Sequence, residues 1–230
     1  MKLSIKPELL RWACVRSGYE TTSLSKNFPK LNAWLDESLQ PTFKQLERFA
    51  KTVHAPVGYF FLPEPPVETV PIPDFRTKRN VSVNRPSPDL LDTIYLCQQR
   101  QEWYKDYTLV SGEHELDFIG SSSPNNPIAE AAEKIRAATG FSLQEQCACH
   151  TWTDALRRFI ERVDSIGVLV MTSGIVGSNS HRKLNPDEFR GFALADSHAP
   201  LIFINGADTK SAQMFTLAHE LAHLWLGQSA

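Results

Sequence analysis

Long apolar runs are missing from this sequence. No stretch approaches the roughly 18 consecutive apolar residues of a membrane-spanning helix. The N-terminus, Met1-Lys-Leu-Ser-Ile-Lys-Pro7, lacks the apolar centre of a signal peptide. Cysteine is scarce: Cys14, Cys97, Cys147 and Cys149 are too few and too scattered for a dense disulfide framework. These absences point to a reduced, cytoplasmic protein with no membrane partner. Neither sign of charge dominates, since the formal net charge is −2 at pH 7. That balance alone argues neither for nor against a nucleic-acid partner. No internal repeat is found.

What is present is an ordinary composition for a globular protein, 42% hydrophobic and 22% charged over 230 residues. The length suits one large domain or two small ones. The charge is unevenly spread: residues 1–85 hold 13 Lys/Arg against 8 Asp/Glu, and residues 86–230 hold 11 against 18. A mildly basic front and an acidic back suggest two functional parts. Proline gathers between them, with eight of the fifteen lying from Pro56 to Pro88. Each proline lacks a backbone donor and fixes φ, so Leu62 to Phe75 reads as an extended connector. Its apolar residues Val67, Val70, Ile72 and Phe75 suggest that it packs along a surface.

Residues 5–60 read as helical. Pro7 suits a first helical turn, and Thr42 suits the cap of a helix with Phe43, Leu46, Phe49, Ala50 and Val53 on one side. Beyond the connector, helices are expected from Ser87 or Pro88 to about Tyr104, from Asn126-Pro127 to Gly140, and from Thr153 to Asp164. From Gly167 the pattern changes. Val168–Met171, Gly191–Ala195 and Pro200–Asn205 read as strands, and Gly174–Asn185 as a long loop. A last helix is expected from Thr209 or Lys210 to Leu226, stopped by Gly227 and capped by Asp208 or Thr209.

That last helix reads Met214-Phe-Thr-Leu-Ala-His219-Glu220-Leu-Ala-His223-Leu-Trp-Leu-Gly227. Residues four apart lie one turn apart on one helix face. His219 and His223 can therefore aim their imidazoles at one zinc ion about 2 Å from each. Glu220 lies beside that face, placed to act as general base toward a water attacking a peptide carbonyl. The apolar residues Met214, Leu217, Ala218, Leu221, Ala222 and Trp225 form a stripe that would bury the helix on its other side.

The chain resembles the ImmA/IrrE family of metallopeptidases. The resemblance rests on Arg190-Gly-Phe-Ala-Leu194, Ala199-Pro-Leu-Ile-Phe-Ile-Asn205 and Phe215-Thr-Leu-Ala-His-Glu-Leu-Ala-His-Leu224. In the front part it rests on Pro41–Ala50, Tyr59–Pro66 and Pro73–Thr77. It implies a zincin-like core with His219 and His223 as zinc ligands and Glu220 as base. The implied substrate is a regulatory protein, a repressor or antitoxin with an Xre-type helix-turn-helix. The strand Gly191–Ala195 would lie beside the cleft, where an extended substrate could add as a further strand. Such enzymes take a third protein ligand, usually an acidic residue on a helix some tens of residues beyond the motif, yet only seven residues follow His223. Three alternatives stand at this point: the chain is a fragment of a longer protein, the site is degenerate, or an upstream residue substitutes. Weak zinc binding and little peptidase activity are expected of the chain as given.

The front part resembles a shortened Xre-type helix-turn-helix, with Leu24 and Trp34 ten positions apart and Asn27-Phe-Pro29 interrupting the recognition segment. A packing or substrate-docking role is favoured there over DNA binding, despite Arg11, Arg16, Lys26, Lys30, Lys44, Arg48 and Lys51. Cys147-Ala-Cys149-His150 is too tightly spaced for a zinc knuckle. His114 and His181 read as solvated turn or loop residues, and His198, in the turn before Pro200, is assigned no role. Asp74 and Arg76 read as a structural pair locking the connector. The expectation is an α+β protein: a small all-α module at 1–62, a proline-rich connector at 63–85, and a zincin-like domain at 86–230, incomplete at its C-terminus. The expected function is that of a zinc-dependent endopeptidase. The alternative is a transcriptional regulator or toxin–antitoxin component with a vestigial metal site.

Overall fold

A mixed three-stranded sheet organises the C-terminal part of the chain. The computed structural model describes residues 4–72 and 86–230. They fall into two units, one of residues 4–69 with 86–88 and one of residues 70–72 with 89–230. The expected pairing of Asp74 with Arg76 lies outside the described residues.

The first unit is helical: α1 (Pro7–Ser17), α2 (Thr21–Asn27), α3 (Leu31–Leu35), α4 (Phe43–Thr52) and a 3-10 turn at Val57–Phe61. Pro7 stands at the start of α1, where its missing N–H is harmless, and Gly18 ends that helix at φ +68°. Thr42 and Gln45 form a reciprocal capping box on α4. The core is aromatic: Phe49 meets Phe28, Trp34 and Phe60 edge-on, with ring centroids 5.4, 6.2 and 5.8 Å away. Arg16, one of the basic residues noted in the sequence, is turned inward, pairing with Glu68 and donating to the His54 carbonyl.

In the second unit, β5 (Leu201–Asn205) lies between β1 (Leu169–Ser173), which it pairs in parallel, and β4 (Gly191–Leu194), which it pairs antiparallel. Side chains alternate between the two faces of a strand. Val170, Ala193, Ile202 and Ile204 face a core built with α8 (Trp152–Ser165) and α9 (Lys210–Trp225). Leu169, Met171, Phe192, Leu194, Leu201 and Phe203 join Leu90, Ile94 and Cys97 of α5 (Pro88–Ser111) on the other face. Helices therefore cover both faces, which is why β5 reads as an unbroken apolar run and is buried along its whole length. Phe192 and Phe203 stack at 5.1 Å within this second core.

Two elements differ from expectation. Helix α5 continues to Ser111, past Tyr104. Its last turns carry exposed Trp103, Tyr107, Leu109 and Val110, so no buried stripe marks them. The expected loop at 174–185 contains a hairpin of β2 (Ile175–Val176) and β3 (Asn179–Lys183). Gly177, at φ +54°, and Ser178 make the two-residue turn between them. Arg182 pins the hairpin to α5 through Asp89 and Asp92, each at 2.7 Å.

Asp196 holds the turn between β4 and β5. Its carboxylate accepts the backbone N–H groups of His198 and Ala199 and pairs with Lys105 of α5. Burial alone would raise this carboxyl; the Lys105 ammonium and the two backbone donors outweigh it and hold the group below its ordinary value. A depressed carboxylate pKa contributes stability above the unfolded pKa, and that contribution is lost as pH falls through the folded one. Asp196→Asn is expected to destabilise the protein by about 1–3 kcal/mol at pH 7. In urea unfolding across pH, the gap between the two proteins should close in acid; a gap independent of pH would contradict this assignment.

Candidate metal centre

The candidate centre is carried by α9, and the sequence around that helix fastens both its ends. Asn205 and Gly206 turn the chain out of β5: the Asn205 amide donates to the Phe189 carbonyl, and its oxygen accepts the N–H of Ala207. Gly206 passes so close to the end of β1 that a Cβ would meet Ser173 C and Gly174 N at 3.1 Å, so a side chain there would press on that backbone. Thr209 caps the helix by accepting the Ala212 N–H. Buried Gln213 reaches back to the carbonyls of Gly206 and Asp208 at 3.2 and 2.7 Å. At the other end, the loop after Phe118 supplies Gly120 and Ser122 N–H groups to the carbonyls of Leu224 and Trp225. Phe118 stacks on Trp225 at 4.3 Å. These partners satisfy the terminal groups that a helix leaves unbonded.

Met214, Leu217, Leu221, Leu224 and Trp225 are buried, which turns the opposite face of α9 outward. On that open face the Nε2 atoms of His219 and His223 stand 3.2 Å apart, with ring planes at 82°. Two imidazole nitrogens on one tetrahedral zinc, each about 2.05 Å from it, are separated by about 3.3 Å. The observed spacing and the choice of donor atoms therefore fit zinc. Phe215 lies one turn before His219 and stacks against its ring at 6.2 Å. Among the described residues, no group of three or more His, Cys, Asp or Glu side chains is arranged to hold a metal.

Glu220 is unlike the two histidines. It is 6% exposed, and its Oε2 is buried with no hydrogen-bond partner among the described residues. Burial pushes its carboxyl up to about 8. A buried carboxyl without a partner opposes folding, so a structural role does not account for it. Such groups concentrate at functional sites.

Strand β4 runs beside this carboxyl. The outer edge of β4 is partly taken by the chain itself: Ala193 and Ala230 exchange backbone bonds of 2.8 and 3.1 Å, and Ala195 N–H donates to Ser229. A substrate pairing there as a further strand would meet Ser229 and Ala230. Gln228-Ser-Ala230 has no strand pattern, so sequence reasoning missed this contact. On the other flank of α9 lies an open, largely apolar groove of about 490 Å³, lined by residues that include Ile135 of α6 (Ile128–Thr139), Phe159 of α8 and, on α9, Met214, Phe215, Ala218 and Ala222.

The remaining candidates do not converge on this centre. Cys147 and Cys149 are free thiols around α7 (Leu143–Cys147), and neither joins a metal-holding group among the described residues. His181 is exposed on β3. His198 lies 3.4 Å from Glu115 in the β4–β5 turn.

A helix presenting two histidines one turn apart, beside a buried carboxyl and packed on a mixed sheet, makes up the candidate metal centre. Residues 163–230 match the family model of the IrrE N-terminal-like domain, Peptidase_M78. That is a family of zinc metallopeptidases, and the match suggests a metallopeptidase-type function for this part of the chain. No curated protein and no solved structure matches the chain.

Gln213 anchors the helix start with an amide that is 1% exposed. Gln213→Leu keeps the bulk but leaves the Gly206 and Asp208 carbonyls without this donor. It is expected to lower stability by about 1–3 kcal/mol. Urea denaturation reads the loss; an unchanged midpoint would show that the anchor contributes nothing.

Proposed function

We propose that this chain is a zinc-dependent endopeptidase acting on a regulatory protein. The observation that carries the proposal is the pair of Nε2 atoms at 3.2 Å with a buried, unpartnered carboxyl on the intervening turn. His219 and His223 hold the zinc. A bound zinc polarises a carbonyl and activates water for attack on it. Glu220 takes the proton of the attacking water and passes it to the leaving nitrogen. Its burial favours the neutral form until a cation stands beside it, so the same carboxyl can give back the proton it accepts. The open face of α9 admits the chain to be cut, and α9 itself is a rigid support, because its termini are tied to the turn after β5 and to the 118–122 loop. The substrate class implied by the resemblance is a repressor or antitoxin of Xre type.

A DNA-binding reading has less support. Helix α3, the counterpart of a recognition helix, has five residues, and Leu31 and Trp34 turn inward from it. Five residues span about 7.5 Å, short for a helix that reads a major groove.

Two variants separate the readings. His219→Ala is expected to abolish zinc uptake in a calorimetric titration, where the parent shows a weak site. Glu220→Gln is expected to retain that site and to lower cleavage of a cognate regulator by about 10²–10⁴-fold. Undiminished cleavage by Glu220→Gln, or zinc uptake that survives His219→Ala, would overturn the proposal. A biological effect that persists in Glu220→Gln would favour a regulator with a vestigial metal site.

A further inference from the structure

We infer that Gly191 is a positioning residue for Glu220: its missing side chain sets how closely α9, and with it the buried carboxyl, approaches strand β4. The inference rests on the peptidase reading for what Glu220 does, and on packing alone for where Glu220 sits.

A Cβ placed on Gly191 would lie 2.5 Å from Thr216 Cγ2, 2.6 Å from the Phe203 carbonyl oxygen and 3.7 Å from Glu220 Cγ. The first two separations are shorter than any real Cβ tolerates. Gly191 is not among the positive-φ glycines, so the requirement is for space and not for backbone conformation. The three neighbours differ in how they can give way. Phe203 lies in the middle of β5, which is paired on both sides, so its carbonyl is held by the sheet. Thr216 is 4% exposed and one turn before Glu220 on α9. A side chain at 191 would therefore press on the helix at Thr216, and α9 would lift from β4 there.

Both imidazoles ride on α9, so a lift moves them together and leaves their 3.2 Å spacing intact. The distance from Glu220 to anything held along β4 changes instead. A misplacement of about 1 Å can cost on the order of a hundredfold in rate. Gly191 thus governs the geometry between the base and the strand, while metal affinity is insulated from it.

The test uses the full chain with Gly191→Ala, Thr216→Ser and the double variant. Thr216→Ser removes the methyl that the new Cβ would meet. In urea unfolding the double variant is expected to recover part of the stability lost in Gly191→Ala, a coupling that contact predicts. Zinc affinity in Gly191→Ala should stay within about twofold of the parent, while kcat toward the cognate regulator falls about 10–100-fold at similar KM. A crystal structure of Gly191→Ala should show Glu220 farther from β4. Strictly additive stability effects, or Glu220 unmoved in that crystal structure, overturn the inference whether or not the parent cleaves. Parental kcat in Gly191→Ala also overturns it. Loss of zinc uptake and kcat together with stability reduces Gly191 to a structural residue and contradicts it as well. A parent that takes up no zinc would instead sink the peptidase reading and leave the packing result standing.

Discussion

A carboxyl group buried on a helix that packs against a strand, with one oxygen unpartnered, is the constraint on which this structure turns. Glu220 is held there because β4 and α9 approach at Gly191 with no side chain between them. Everything around the contact makes the approach rigid. Helix α9 is fastened at its start by Gln213 and Thr209 and at its end by the 118–122 loop. The strand is fastened by β5 on one side and by Ser229 and Ala230 on part of the other. Leaving a carboxyl in such a place works against folding; on the proposed reading, a cation at the nitrogens of the two histidines beside it would offer the carboxyl the charge that the protein withholds.

The two units differ in what they ask of their residues. The helical unit spends its aromatic rings on its own core, and Arg16, which could have faced a polyanion, is committed to Glu68 and the His54 carbonyl. The sheet unit buries both faces of its strands and leaves one face of α9 open.

Much of the centre was legible in the sequence. The four-residue interval between His219 and His223 needs only helical geometry, and the apolar stripe from Met214 to Trp225 tells which side is buried. The strands were legible because β5 is an uninterrupted apolar run and Asn205-Gly206 marks its end. Other features were hidden for physical reasons. The β2–β3 hairpin is exposed and polar, so no alternation announces it, although Gly177-Ser178 is a recognisable turn pair. The end of α5 was missed because its aromatic residues face outward. The burial of Glu220 was not legible at all: a glutamate inside a helix reads as solvated, and the packing of strand β4 near its Cγ at Gly191 is a tertiary contact. Gly191 itself stood in the sequence as part of a family string, without the close approach that explains it.

The most direct measurement is X-ray absorption at the zinc edge of the protein loaded with one equivalent of zinc. The account predicts two imidazole nitrogens at about 2.0 Å, no sulfur scattering, and loss of the imidazole signal in His223→Ala. Sulfur at about 2.3 Å would place the metal at Cys147 or Cys149 instead. That result, or a spectrum unaltered by the histidine substitution, would contradict the assignment of the centre to α9.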